Sequence, residues 1–247
     1  MTTPAGGPAP TGLDLRGDHH VHSTFSDDAV STLAENLDAA RDRGLTVVRM
    51  VEHVRRGATH VPDFLRAAEA LDPPEGLTVL TGVEAKLLDT AGSVDAPPEV
   101  LAAVGGPRGP GRVLLADHQL PAPDGPWSPR VARERLAAGL PAADAVGFLV
   151  TAYARALAAS GPAQLAHPFS ILPKIGLAED EVTAEHLDAL ADALRAAGGV
   201  VEVNEKWRCP GARVAGALRA AGVDLVASTD AHDARDVGRY RWLGGDA

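Results

Sequence analysis

Two short clusters in this chain combine imidazole and carboxylate at spacings that suit a metal ion: Asp18-His19-His20-Val21-His22 and Asp230-Ala231-His232. In an extended strand, residues two apart point to the same side. His20 and His22 would then offer two imidazoles to one ion, and Asp230 and His232 repeat the device with mixed ligands. Neutral imidazole and carboxylate suit zinc, manganese and iron. His53, Glu84, His118 and His167 lie between the clusters, each just after a short apolar run. A carboxylate such as Glu84 has two oxygens and is able to bridge two ions. Asp18 is placed to orient a ligating ring from behind. One His-x-His alone is a weak signal, because a single histidine is ordinarily a hydrogen-bonded loop residue. Acid or imidazole at six successive run ends is a different matter. His60 and His186 follow no apolar run and read as surface residues, and His19 points away from its neighbours and reads as structural.

These residues need a scaffold that brings opposite ends of the chain together. Short apolar runs at 13–15, 47–51, 78–80, 113–116, 164–166, 200–203 and 224–227 are rich in Val and Leu and bounded by Gly, Pro or Asp, as buried parallel strands tend to be. Between them, residues 62–71, 131–138, 145–159, 183–197 and 211–221 have helical patterns. Thr32 and Glu35 form a capping-box pattern, and Gly44, Gly198-Gly199 and Gly222 stand where helices stop. About seven β-then-α units predict a parallel sheet closed into a barrel. The carboxyl ends of barrel strands form the active-site face, so the dispersed ligands would meet on one surface. Segments 89–112 and 121–129 are rich in Gly and Pro and read as long loops. Residues 105–111 match no phosphate-binding loop and read as a flexible turn.

The bulk numbers narrow the function. With 23 basic and 33 acidic residues among 247, the formal charge is −10, and no basic patch stands out. Nucleic acid is therefore not an expected partner, whereas a small anionic substrate remains compatible if bound cations reverse the local field. Cys209 is the only cysteine, so no internal disulfide forms. As a nucleophile it would need a base and a depressed pKa, and its place before Pro210 suggests neither. Residues 1–11 read as a flexible tail without signal-peptide character, and 12–247 as one domain. No run approaches about 18 apolar residues; the expectation is a cytoplasmic protein without a membrane partner.

The run Asp-His-His-Val-His-Ser-Thr-Phe-Ser-Asp-Asp at 18–28 resembles the first motif of the PHP family, the polymerase and histidinol phosphatase domain. Val-Glu-His (51–53), Gly-Val-Glu (82–84), Ala-His-Pro (166–168), Val-Glu-Val-Asn (201–204) and Ser-Thr-Asp-Ala-His (228–232) are similar to its later motifs, in order. The resemblance covers about residues 13–240. It implies a distorted (βα)7 TIM-like barrel with up to three divalent ions, zinc, manganese or iron. One ion would be held by His20, His22, Glu84 and Asp230. A second would share Glu84 and use His118 and His167. A third would take His53, His232 and an acid, Asp27 or Asp28, with histidinol-phosphatase-like spacing favouring Asp28. Relatives carry Thr-Asp-His where this chain has Val-Glu-His, so the extra methylene of Glu52 could re-aim the His53 ring.

Such ions suit hydrolysis of a small-molecule phosphomonoester by attack of a metal-bound hydroxide. Glu84, Asp230 and His232 are the candidate catalytic residues, with Asp230 or a nearby histidine supplying or relaying the leaving-group proton. Arg208 and Lys174 are the candidate substrate contacts, ahead of Arg55, Arg56 and Lys206. Trp127 and Trp207 could line a pocket, and Trp242 reads as packing. Histidinol phosphate is one allowed substrate. The alternatives are a PHP-type nuclease, or a non-phosphate hydrolase or lyase using the same cluster.

Overall fold

A computed structural model describes residues 7–105 and 111–245. The chain runs β1 (Gly17–Val21), α1 (Leu33–Asp42), β2 (Val47–Val54), α2 (Val61–Glu69), β3 (Thr78–Lys86), α3 (Pro98–Gly105) and β4 (Gly111–Ala116). A small hairpin follows, β5 (Leu120–Ala122) and β6 (Gly125–Trp127), then α4 (Pro129–Ala137) and α5 (Ala142–Ser160). The remainder is β7 (Gln164–Ala166), α6 (Leu172–Ile175), α7 (Ala184–Ala197), β8 (Val200–Asn204), α8 (Ala212–Ala220) and β9 (Asp224–Ser228). Seven parallel strands in the order β1-β2-β3-β4-β7-β8-β9 make the sheet. It rolls into a nearly closed barrel, as the alternating pattern predicts. Its seam lies between β1 and β9, where Val21 bridges Ala231 and His22 N donates to Ala231 O at 2.8 Å.

The layers follow from side-chain alternation. Val48, Met50, Leu33, Leu37 and Phe64 pack between strands and helices, while Val51, Leu114, Ala116 and Ala166 form a small cluster of their own. Gly82 has space only for hydrogen: a Cβ there would lie 2.9 Å from Arg112 O and 2.9 Å from Leu114 Cδ1. Helix α5 is long and apolar enough by composition to cross a bilayer, which a search for unbroken apolar runs misses. Its Val146, Leu149, Tyr153 and Leu157 are fully buried in the main core cluster.

Four sequence expectations need correction. The first strand is 17–21, not 13–15, because its residues are the site's own Asp and His rather than an apolar run. The stretch 89–112 contains helix α3, and 121–129 contains most of the hairpin with the start of α4; in each, Pro stands at a helix start, where its missing N–H costs nothing. Residues 7–11 are docked: Pro8 O accepts from Ala212 N at 3.1 Å and Gly7 O from Trp242 Nε1 at 3.2 Å. Most of the turn read at 105–111, and residues 1–6 of the tail, lie outside the described residues.

Register is irregular where it bears on the site. Gly17 and Asp18 pair with Val47 and Val48, but Val21 pairs with Met50, so three steps on β1 match two on β2. A bulge of this kind re-aims side chains. Asp18 turns to the closing segment, accepting from Thr229 N at 3.0 Å, Thr229 Oγ1 at 2.5 Å and Gly238 N at 2.8 Å. His20, two residues on, faces Glu202 and Glu84. Asp18 therefore ties the seam and orients no ligating ring, contrary to the sequence reading.

Candidate metal centre

The candidate ligands sit at or beyond the carboxyl ends of the strands, and among the described residues they form four groups whose donor atoms lie within 4.8 Å of one another: His20, His22 and Asp230; Glu84, His118 and His167; His22, His53 and His232; Asp27, Asp28 and His53. In the first, His20 Nε2 lies 2.9 Å from His22 Nε2, 3.5 Å from Glu84 Oε2 and 3.9 Å from Asp230 Oδ1. His22 Nε2 lies 3.5 Å from Glu84 Oε2 and 3.3 Å from Asp230 Oδ1. Tetrahedral zinc with bonds of 2.0–2.1 Å separates its donors by about 3.3 Å, and these spacings lie on either side of that value.

The other carboxylate oxygen of Glu84 faces the second group, 3.2 Å from His118 Nε2 and 3.0 Å from His167 Nε2. Its Oε2 is also 2.9 Å from His53 Nε2, yet it is buried and accepts no hydrogen bond. A buried oxygen without a bonded proton, ringed by imidazole nitrogens, is the donor set of a cation site. In the third group Asp28 stands between two rings, Oδ1 3.3 Å from His53 Nδ1 and Oδ2 3.3 Å from His232 Nε2. Asp27 shares the group of Asp28 and His53, and its Oδ2 also lies 3.6 Å from Arg55.

One device orients the buried rings. His20 Nδ1 donates to Glu202 Oε2 at 2.9 Å. His22 Nδ1 lies 3.3 Å from Ser26 Oγ, whose own proton goes to Glu52 Oε2 at 2.6 Å. His167 Nδ1 lies 3.1 Å from Ser170 Oγ, whose proton goes to Asp117 Oδ1 at 2.7 Å. Each hydroxyl is thus an acceptor toward the imidazole. In all three rings Nδ1 faces an acceptor and keeps its proton, so in the neutral imidazole the Nε2 lone pair faces the centre, the tautomer that metal ligation needs. His232 follows suit, with Nδ1 2.9 Å from Asp230 O. Glu52 grips Ser23 and Ser26 rather than the His53 ring, so its extra methylene leaves that ring among the candidate ligands.

The field of the site is mixed by design of the chain. Burial pushes Glu84 up, but His118 and His20, with hydrogen bonds from His118 and His167, hold it well below the usual carboxylate range. Burial likewise opposes, and His22, His20 and Lys206 overcome, so that Asp230 stays charged. Burial would neutralise His20, but Glu202 and Glu84 raise it well above its ordinary value. Binding a cation exchanges such protons for metal.

Around the cluster, Lys206 Nζ lies 3.1 Å from Asp230 Oδ2 and 3.3 Å from His232 Nδ1. Trp207 Nε1 donates to the same Asp230 oxygen at 2.8 Å, and Lys174 Nζ lies 3.8 Å over the Trp207 ring. Lys174 therefore reaches the site through the indole, while Lys206, ranked behind it from sequence, touches Asp230 directly. Arg208 lines a cavity of about 700 Å³ together with Asp28, Asp230 and His232. Among the described residues, four that are not glycine have positive φ: His167, Phe169, Arg208 and Asp230. All follow strands β7, β8 or β9 on the site face. Strain of this sort gathers where function over-determines the backbone.

Other candidates fall elsewhere. His19 is half-buried over Gly17, where burial and Arg49 push it down to about 4. His186 caps its own helix by accepting from Thr183 N. His60 is half-buried, with an unpartnered Nε2, beside Phe25 and His53 in a second cavity, rather than on the open surface. Trp127 packs against Phe148 and donates to Asp124. Cys209 is buried and its thiol is pushed well up, chiefly by burial, which removes it as a nucleophile. Sequence reading missed Glu202, Asp117 and Ser170 as partners of the rings. The signal for Glu202 was there: an acid inside the otherwise apolar run 200–203.

A family model for the PHP domain matches residues 18–206. The chain belongs to the PHP domain family. Among relatives, it is 33% identical over 90 residues to a probable phosphatase of Vibrio parahaemolyticus, covering 36% of each chain. It is 36% identical over 87 residues to a probable phosphatase of Vibrio vulnificus, covering 34% of this chain and 35% of that one. The matched segment thus spans about a third of the length of these curated relatives. The crystal structure of histidinol phosphate phosphatase from Lactococcus lactis, complexed with zinc, L-histidinol and phosphate, superposes with a TM-score of 0.63. That match covers 88% of this chain and 86% of the other at 15% identity, a likeness of fold. The PHP chain described here shares the barrel and carries His, Asp and Glu groups able to hold metal ions.

Proposed function

We propose that this PHP chain is a metal-dependent phosphomonoesterase acting on a small phosphorylated molecule. The observation that carries the reading is Glu84: one buried carboxylate with its two oxygens turned to two imidazole groups. His20, His22, Glu84 and Asp230 hold one divalent ion in this reading, Glu84, His118 and His167 a second, and Asp28, His53 and His232 a third. Zinc, manganese and iron all suit these donors. When bound, such ions supply Lewis acidity toward a phosphoryl oxygen and activate water near neutral pH. Support for phosphate chemistry comes from the relatives' description as probable phosphatases and from the phosphate in the histidinol phosphatase of the same fold.

The chain's own residues then divide the remaining work. Glu202, Ser26 and Ser170 fix the imidazole tautomers. Asp230 turns Oδ1 to His22 and Oδ2 to Lys206 and Trp207. Oδ2 thereby links the cluster to the cavity, and in this reading Lys206, 3.1 Å from it, supplies or relays the leaving group's proton. Arg208, on the cavity wall, binds an anionic part of the substrate, because a guanidinium meets phosphate or carboxylate oxygens in pairs.

A phosphomonoester panel run with manganese, zinc and iron, beside His20→Ala, tests the reading. Hydrolysis by the wild type and its loss in the variant are expected. A fully metallated wild type that is inert on every ester would refute it. Robust cleavage of labelled single-stranded DNA at physiological salt in the same assay would support the nuclease alternative instead.

A further inference from the structure

The cavity beside Asp28, Asp230 and His232 has an uneven charge balance. Arg208, Arg239 and Arg241 all line it, and among the described residues none of the three makes a side-chain hydrogen bond or an ion pair. The acids of the same wall are mostly committed. Glu205 accepts from the backbone N–H of Arg241, Trp242 and Leu243. Asp233 is paired with Arg235. Asp28 and Asp230 face the imidazoles. Asp236 is left as the one uncommitted carboxylate opposite three uncommitted guanidiniums. Arg208 also holds a left-handed backbone, φ 53°, a conformation that costs a non-glycine residue energy and persists where its surroundings impose it.

A single phosphoryl group occupies one guanidinium fork, or two at most, and three forks on one wall leave recognition capacity over. We infer that the substrate carries a second anionic group, a carboxylate or another phosphate, which Arg208, Arg239 and Arg241 bind while its phosphomonoester lies at the cluster. Val30, 69% exposed, stands on the same rim and offers the intervening carbon chain an apolar contact. The wall holds five carboxylates and four cations, but its unpaired groups among the described residues are the three guanidiniums and Asp236, and an ammonium-bearing leaving group gains no contact from the guanidiniums. This inference rests on the phosphomonoesterase reading.

Four esters of similar size separate the possibilities in the metal-loaded enzyme: glycerol 3-phosphate, ethanolamine phosphate, 3-phosphoglycerate and propane-1,3-diol bisphosphate. One bidentate charged pair contributes roughly tenfold or more. The expected result is kcat/KM at least about tenfold higher for one or both doubly anionic esters than for glycerol 3-phosphate, with ethanolamine phosphate lowest. The better of the two identifies the group as carboxylate or phosphate. In Arg239→Met/Arg241→Met and in Arg208→Met, that advantage falls about fivefold or more, chiefly through KM. General damage to the fold lowers all esters together and leaves the ratio intact, so an unchanged ratio in both variants overturns the assignment. Equal or better turnover of the neutral or ammonium ester by the wild type overturns it too, with the phosphatase reading intact. Hydrolysis of none of the four, nor of the wider panel, removes both.

Discussion

Replacing Glu202 by glutamine keeps the shape of the side chain and removes its charge. Glu202 Oε2 receives His20 Nδ1 at 2.9 Å and Gln164 Nε2 at 2.8 Å, while Oε1 receives His167 N at 3.2 Å and Asn204 Nδ2 at 2.6 Å. All four partners are donors. Whichever side the amide nitrogen takes, two donors face a third. Hydrogen bonds to a charged acceptor contribute about 1.5–3 kcal/mol each, and a buried donor left unpaired costs about 1–3 kcal/mol. Gln164 and Asn204 are amides and have room to turn; His20 and the His167 backbone have not. A net loss of about 3 kcal/mol is the expected outcome, or a fall in Tm of roughly 6–12 °C for a chain of this size. The ring of His20 also loses the acceptor that fixes its tautomer. Partners of this kind typically control metal affinity by roughly 10–100-fold, and Glu202→Gln should show that loss in a zinc titration against a chromophoric chelator. Glu179→Gln is the matched control: Glu179 is also a hydrogen-bonded glutamate, accepting from Gly211 N at 2.9 Å, and makes no contact with a candidate ligand. It should lower Tm and leave zinc affinity alone. A folded Glu202→Gln protein with zinc affinity within about threefold of wild type would refute the reasoning, since the principle asks for ten.

Three further outcomes follow from the geometry. Asp28→Asn should lower the number of ions bound per chain by about one, read by elemental analysis after dialysis, while Asp27→Asn, whose parent pairs with Arg55, should not; the reverse would place the third-group acid at Asp27. Trp207→Phe removes the indole N–H from Asp230, a bond to a charged acceptor, so kcat/KM should fall roughly tenfold or more with metal content retained; equal activity would show that Asp230 needs no such restraint. Gly82→Ala puts a methyl against Arg112 O and Leu114 Cδ1 at 2.9 Å, and overpacking of this sort costs about 1–3 kcal/mol, visible as a lower denaturant midpoint with no change in m.

Much of this architecture is legible before any coordinates. Val-rich runs with periodic helices between them place six of the seven barrel strands, and the ligands stand out because acid or imidazole follows so many strand ends. What escapes is whatever depends on register. The bulge in β1 splits Asp18 from His20, which strict alternation would put on one side. Glu202 belongs to β8 and meets His20 from β1, a pairing set by barrel closure rather than by spacing. Ser26 and Ser170 look like loop hydroxyls until Glu52 and Asp117 take their protons. Trp207 and Lys206 gain meaning only from where Asp230 turns its second oxygen. The hairpin and α3 hide in Gly/Pro-rich sequence because Pro98 starts α3 rather than ending an element, and Pro121 and Pro126 sit inside the two short hairpin strands. The choice between Asp27 and Asp28 is similar: neighbours in sequence, they differ in which rings the loop brings to them.

The seam between β1 and β9 has a consequence for the order of synthesis. Asp18 and Thr229, bonded across it, are 211 positions apart, and the ligands on either side of them share that separation. During translation His20 and His22 emerge early and stay without Asp230 and His232 until almost the whole barrel has been made. Until then the group at the seam offers only its two imidazoles, a donor pair with little power to discriminate among cations. Discrimination arrives when the last strand docks. A chain cut short before residue 230 lacks Asp230 and His232, and with them a donor from each of two ligand groups.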